Sequence, residues 1–320
     1  MRYRNDDMLL RIAQGDAYAL AVEYVSREKH SQLFDDVLKF EKFHRHPVFL
    51  HSNLSAGSYS DDTQMSISVA ETLIANEALM KGSLISIHDH ARLRLSFGNG
   101  FYDAFRRDPR DGYSRAFQAI LEKSTSADHM RSLIIANSVA NGACMRAVPL
   151  GVIPDPSQIY WVASTQASVT HDTRGGMASA RAIALMSHYA LYEPSDFSNM
   201  HEWCLRIDPT FQLFEMPWSG GVGLKSTDPE GLGIGVCTAW AVHTLLTTKT
   251  SLMDILKQVI EWRGDTDSVA AIAWGIASCR YRDEQIPTFL TRDLEPHTRF
   301  GVSFLKEMGT KLMNTYDVLV

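Results

Sequence analysis

The hydrophobic pattern of the chain is that of a helical protein. Between residues 63 and 80, apolar rows recur every four positions: Met65, Val69 and Leu73, with Ala70 and Ile74 beside them. That spacing places both rows on one face of an α-helix. The same period runs through residues 130–139, 178–192, 236–246, 252–262 and 268–278. Several stretches, such as GMASARAIALMSHYA and SVAAIAWGIAS, are rich in alanine and apolar on more than one face. Helices of that kind are packed on most sides inside a bundle. Alternating, strand-like runs are few and short. The expected fold class is all-α, a compact helical bundle.

The unusual residues fall between the periodic stretches. Residues 43–60 hold three histidines and a proline, residues 96–112 read SFGNGFYDAFRRDPRDG, and residues 208–235 are rich in glycine and proline. All three are expected to be loops. No Ser/Gly linker, charge block or fixed-period repeat divides the chain, so residues 1–320 are expected to form one domain.

Composition adds bounds rather than a function. With 45% hydrophobic and 21% charged residues the chain has the make-up of an ordinary globular domain. A formal net charge of −6 argues against a protein that coats nucleic acid, which carries a basic face. Cys144, Cys204, Cys237 and Cys279 lie far apart with no CxxC pair, as expected of reduced, buried thiols. The start lacks the apolar core of a secretory signal, and no run of about 18 apolar residues could span a bilayer. A cytoplasmic protein with no membrane partner is the expectation.

Two helix starts carry the chemistry. Tyr59-Ser60-Asp61-Asp62-Thr63 directly precedes one apolar helix, and Arg263-Gly264-Asp265-Thr266-Asp267-Ser268 precedes another. Capping explains either alone, because Asp, Ser and Thr accept hydrogen bonds from the first free N–H groups of a helix. One cap needs one such side chain, however, and each start offers two carboxylates with hydroxyls beside them. Carboxylate and hydroxyl oxygens are what hard divalent cations prefer. If both starts faced one cavity, each like-charged pair at about 5 Å would cost on the order of 3 kcal/mol at an effective dielectric near 20. Two Mg²⁺ ions would balance four aspartates. Spacing alone does not establish that the two starts meet.

Taken together and in order, these motifs closely resemble the ADP-ribosylglycohydrolase family, which includes dinitrogenase reductase-activating glycohydrolases and ADP-ribosylarginine and ADP-ribosylserine hydrolases. Along most of the chain the likeness rests on Gly15-Asp16 and Glu23 in GDAYALAVE, SDDTQM at 60–65, NGACMR at 141–146, His171, and GDTDSVAA at 264–271. The resemblance implies a helical fold with a binuclear magnesium centre, Mn²⁺ being a substitute, at the bottom of an ADP-ribose cleft. It implies one ion on Ser60, Asp61, Asp62 and Asp267, and a second on Asp265, Asp267 and Ser268 with Asp62 bridging or close by. Glu23 and Asp62 then stand as catalytic candidates for proton transfer. Residues 138–142, with Ser138, Asn141 and Gly142, resemble a diphosphate-binding loop, and His171 resembles a pocket-lining residue.

The chain departs from the family pattern in having Arg263-Gly264 where Gly-Gly is common, and Tyr18 and Ala19 in a less glycine-rich opening helix. Arg263 is expected to point outward or to touch the substrate.

Other groups read more plainly. His44, His46 and His51 suit a loop better than a zinc site, and His88-Asp89-His90 suits the surface. Arg106, Arg107, Arg110 and Asp111 read as a charged, exposed turn, and Gly98-Asn99-Gly100 as a turn rather than a phosphate loop.

The leading expectation is therefore an Mg²⁺-dependent hydrolase that releases ADP-ribose from an acceptor. The acceptor is a protein side chain or a small molecule, with an ADP-ribosylated nucleic acid less favoured. The competing readings are a binuclear-metal hydrolase of another ribosyl metabolite and a relative that binds ADP-ribose without turnover.

Overall fold

A computed structural model describes residues 3–47, 54–80, 86–224 and 231–316. Its helices run in the order α1 (Met8–Ala19), α2 (Ser31–Val37), α3 (Asp61–Ala75), α4 (Glu77–Met80), α5 (Ile87–Arg107), α6 (Arg115–Lys123), α7 (Ala127–Leu133) and α8 (Pro156–Ala167). They continue with α9 (Arg174–Tyr192), α10 (Met200–Ile207), α11 (Ile234–Thr248), α12 (Leu252–Trp262), α13 (Thr266–Ala277), α14 (Phe289–Arg292) and α15 (Val302–Thr315). Among the described residues there is no strand, only isolated bridges between Asn137 and His171 and between Val222 and Gly264. The all-α class is borne out.

The architecture follows from two crowded helices. All twelve residues of α13 are buried, as are eleven of the twelve in α1, and the two pack directly on each other. Glycine on each permits the close approach. A Cβ on Gly15 would lie 2.6 Å from the backbone oxygen of Ala270, and one on Gly275 would lie 2.5 Å from the Ile12 side chain. Helix α3 packs on α1, α5 and α15, while α9 packs on α8 and α11. One contiguous apolar core runs from Met8 to Tyr316. The first and last parts of the chain thereby share an interior. All four cysteines are buried and unbridged, as expected.

Most predicted helices stand where the period places them, and 252–262 coincides with α12. Three local expectations need correction. Residues 96–112 are not a loop, because α5 runs through Gly98-Asn99-Gly100 to Arg107. These glycines are contact points: a Cβ on Gly100 would lie 2.7 Å from the Thr72 hydroxyl on α3, and one on Gly98 would lie 2.9 Å from the Arg131 side chain. Within 130–139 the helix stops at Leu133, where Ile134 turns extended at ψ 126. Helix α3 ends at Ala75, and Asn76 separates it from α4.

The charged turn also needs revising. Arg110 is only 6% exposed. Its guanidinium lies over the Tyr59 ring at 3.8 Å, donates to the Tyr59 carbonyl at 2.9 Å, and pairs with Asp108 and the buried Glu295. Glu295 in turn accepts from the Tyr59 N–H at 3.1 Å, while its own N–H donates to the Gly57 carbonyl. Together Arg110 and Glu295 clamp the loop that leads into α3.

Candidate active site

Asp16 decides how the first acidic start is used. Fully buried on α1, it accepts from the Ser60 N–H at 3.0 Å, the Thr63 N–H at 3.1 Å and the Thr63 hydroxyl at 2.6 Å. With Ser60, whose hydroxyl accepts from the Asp62 N–H, Asp16 does the capping of α3. The carboxylates of Asp61 and Asp62 are therefore not needed as caps.

At the second start, Asp265 occupies the N-cap position of α13 but its side chain makes no cap bond. Backbone contacts fix this start instead. The Thr266 hydroxyl donates to the Ala19 carbonyl at 2.8 Å, the Tyr24 N–H donates to the Gly264 carbonyl at 2.8 Å, and the Asp265 N–H donates to the Val222 carbonyl at 3.0 Å. Gly264 has a φ of +77°, and a Cβ there would lie 2.1 Å from the Val222 oxygen, so only glycine fits. Arg263 precedes it at φ 68° and points outward, to Glu28 at 3.3 Å.

The two starts meet. Carboxylate oxygens of Asp16, Asp62 and Asp267 lie within 4.8 Å of one another, and so do those of Glu23, Asp265 and Asp267. Asp267 belongs to both groups. Asp16 has its oxygens occupied by α3, whereas Oδ1 of Asp62, of Asp265 and of Asp267 is buried with no hydrogen-bond partner. Three orphaned carboxylate oxygens in one place are costly unless something cationic satisfies them. This oxygen-only donor set fits hard divalent cations.

The second oxygens of Asp265 and Asp62 are tied down. Oδ2 of Asp265 accepts from the Asn141 amide at 2.9 Å and from the Tyr24 hydroxyl at 3.3 Å, and Oδ2 of Asp62 accepts from the Ser60 hydroxyl at 3.2 Å. Burial, with the neighbouring carboxylates adding to it, holds Asp61, Asp62 and Asp267 well above the usual carboxylate range. Burial and then Glu23 push Asp265 up to about 6, and the Ser268 hydroxyl opposes the rise in both Asp265 and Asp62.

Above these acids opens a cleft of about 260 Å³. Glu23, Asp61, Asp62, Asp265, Asp267, Ser268, Ser138, Asn141, Gly142 and His171 all line it, alongside an apolar wall that includes Phe117 and Ile120 of α6. The sequence-predicted residues are thus assembled on one surface, with one exception. Ser60 is wholly buried behind Asp62, spends its hydroxyl there, and is not on the cleft wall. Asp61 lines the cleft outside the two close groups, under Gly112, where a Cβ would lie 2.3 Å from its Oδ1.

Several contributors were not singled out from the sequence. In the sequence Asp16 is marked only as the neighbour of Gly15. Tyr24 holds Asp265 from a left-handed backbone, φ 50°. His46 sets its Nε2 2.8 Å from the Glu23 carbonyl and so braces the catalytic candidate, and His51 lies outside the described residues. His90 is partly buried, with Nδ1 2.9 Å from the Thr165 hydroxyl. No local pattern marks contacts of this kind, since each joins elements distant in the chain.

An all-helical chain with two acidic helix starts facing one cleft, their clustered carboxylates able to bind metal, defines the class of protein. The family is specific: the profile of the ADP-ribosylglycohydrolase family matches residues 4–317, and this chain belongs to that family. It is 25% identical to ADP-ribosylhydrolase ARH3 of Xenopus tropicalis, over 96% of this chain and 94% of that protein. It is 23% identical to the ADP-ribosylarginine hydrolase Tri1 of Pseudomonas putida (strain GB-1), over 87% of this chain and 71% of that protein. A solved structure described as an ADP-ribosylglycohydrolase-related protein complex superposes with a TM-score of 0.67 at 18% identity, covering 98% of this chain and 99% of that one. That last likeness concerns the fold.

Proposed function

We propose that the protein is an Mg²⁺-dependent hydrolase that cleaves the bond between the anomeric carbon of ADP-ribose and a protein side chain. The observation that carries this reading is the convergence of three unpartnered, buried carboxylate oxygens from two helix starts at the base of a cleft. Ser60, Asp61, Asp62 and Asp267 would hold one ion, and Asp265, Asp267 and Ser268 the other, with Asp62 close to both. Mg²⁺, or Mn²⁺ in its place, would supply Lewis acidity that orients ribose hydroxyls and raises the acidity of water.

The chain's own groups do the rest. Asn141 and Tyr24 hold Asp265 in place, while residues 138–142 offer backbone N–H groups to a diphosphate. Glu23 sits where the cleft joins a second groove of about 500 Å³, lined by Glu23, Tyr24, Asp111, Arg115, Gln118 and Glu122 among others. At that junction Glu23 is placed to move a proton at the bond to the acceptor. Three acids against one arginine in this outer groove favour a cationic acceptor, so the reading includes arginine as the modified side chain.

A panel of arginine-, serine- and nucleic-acid-linked ADP-ribose, assayed with and without Mg²⁺, tests this. Mg²⁺-dependent release from the arginine-linked substrate is expected. Release from serine alone removes the acceptor assignment, and release from none removes the function. With the same substrate, Asp61→Asn is expected to lower turnover by more than about 100-fold, beyond the range typical of residues behind a metal ligand.

A further inference from the structure

Arg146 is a fully buried cation on the inner wall of the cleft, 2% exposed, with no carboxylate in ion-pair contact among the described residues. Its direct hydrogen-bond and ring partners are neutral. Its guanidinium lies over the Phe101 ring at 4.1 Å. Nε donates to the Gln166 side-chain oxygen at 2.7 Å, and Nη2 donates to the Thr170 hydroxyl at 2.9 Å. The Gln166 amide is fixed from its other end, donating to the Ala143 carbonyl at 2.7 Å. The Thr170 hydroxyl is 2.7 Å from Nδ1 of His171. Beyond it, Nε2 of His171 is buried without a partner, packed where a Cβ on Gly142 would lie 3.3 Å away.

A guanidinium donates and never accepts, so Thr170 Oγ1 accepts from Arg146. Among the described residues, Nδ1 of His171 is the acceptor that the Thr170 proton reaches. A neutral imidazole that accepts at Nδ1 carries its proton on Nε2. We propose that Arg146, acting through Thr170, holds His171 as the neutral Nε2–H tautomer, making its ring a fixed hydrogen-bond donor to a phosphate oxygen of the ligand. Burial, with Arg146 nearby, keeps the ring uncharged at neutral pH by lowering its pKa to about 3. Arg146 and Thr170 are positioning residues here. The ligand half of the inference rests on the ADP-ribose reading above; the tautomer does not.

The test separates the two. In ¹⁵N-histidine-labelled protein without ligand, with His171→Gln used to assign the signal, His171 is expected to show a bare Nδ1 and a protonated Nε2. A protonated Nδ1, or an imidazolium at neutral pH, overturns the proposal. Titration with ADP-ribose is expected to shift the Nε2 resonance. In Thr170→Val, close in shape but without the hydroxyl, the tautomer signature is expected to be lost and ADP-ribose binding to weaken about tenfold, with Thr170→Ser restoring both. Wild-type affinity in Thr170→Val also overturns it. A wild-type protein that keeps the tautomer but binds no ADP-ribose refutes the reading of the cleft instead.

Discussion

A single carboxylate, that of Asp16, determines what two others are available to do. Because it caps α3 from a neighbouring helix, Asp61 and Asp62 keep oxygens for other partners. Asp16→Asn keeps the size but turns an amide donor toward N–H groups that need acceptors. It is expected to cost about 2 kcal/mol of stability, read as a lower melting temperature, and to weaken Mg²⁺ binding by about 10–100-fold in titration calorimetry. At this scale the sequence was informative about types and not about partners. Aspartates beside hydroxyls at two helix starts identified Asp61, Asp62, Asp265, Asp267 and Ser268, all of which reach the cleft. Ser60 lies wholly buried beside them, its hydroxyl accepting from the Asp62 N–H and donating to Asp62 Oδ2. Arg110 misled because its partner, Glu295, is 185 residues away.

At the scale of elements, helical periodicity gave α9, α11, α12 and α13 close to their observed bounds, since buried helices must repeat their apolar contacts. It misread 96–112, where glycine in Gly98-Asn99-Gly100 marks close helix packing rather than a turn. The same ambiguity governs Gly15 on α1. Alanine is the better helix former by roughly 1 kcal/mol, which alone would stabilise the variant. Its Cβ would nevertheless press within 2.6 Å of a backbone oxygen of α13 that cannot step aside. Overpacking of that kind costs about 1–3 kcal/mol. Gly15→Ala is therefore expected to lower the denaturation midpoint. Because α1 carries Asp16 and leads to Glu23, it should also reduce Mg²⁺ affinity. An unchanged midpoint would show that the α1–α13 crossing is looser than described.

For the molecule as a whole, the buried acids tie stability to pH. Asp16 and Asp265 are raised to about 6 in the folded, metal-free protein, chiefly by burial. Their unfolded values lie near the ordinary 3.9, so the folded state binds more protons between these limits. Stability is then fully present below about pH 4 as far as these groups are concerned, and is lost as pH rises through about 6. Chelated protein should melt lower at about pH 7 than at about pH 5, by on the order of 5 °C. Saturating Mg²⁺ should raise the value most at the higher pH, because ligands must be deprotonated to bind. A metal-free melting temperature that climbs from pH 5 to 7 would contradict this account, and calorimetry across that range decides it.

The pairing of α13 with the end of α1, where Thr266 bonds a carbonyl 247 residues upstream, has a consequence during synthesis. While the ribosome is still making the later helices, Asp61 and Asp62 have already emerged without the aspartates that complete their acidic cluster. The nascent chain therefore cannot gather that cluster at the base of its cleft until α13 has followed α3 out of the ribosome.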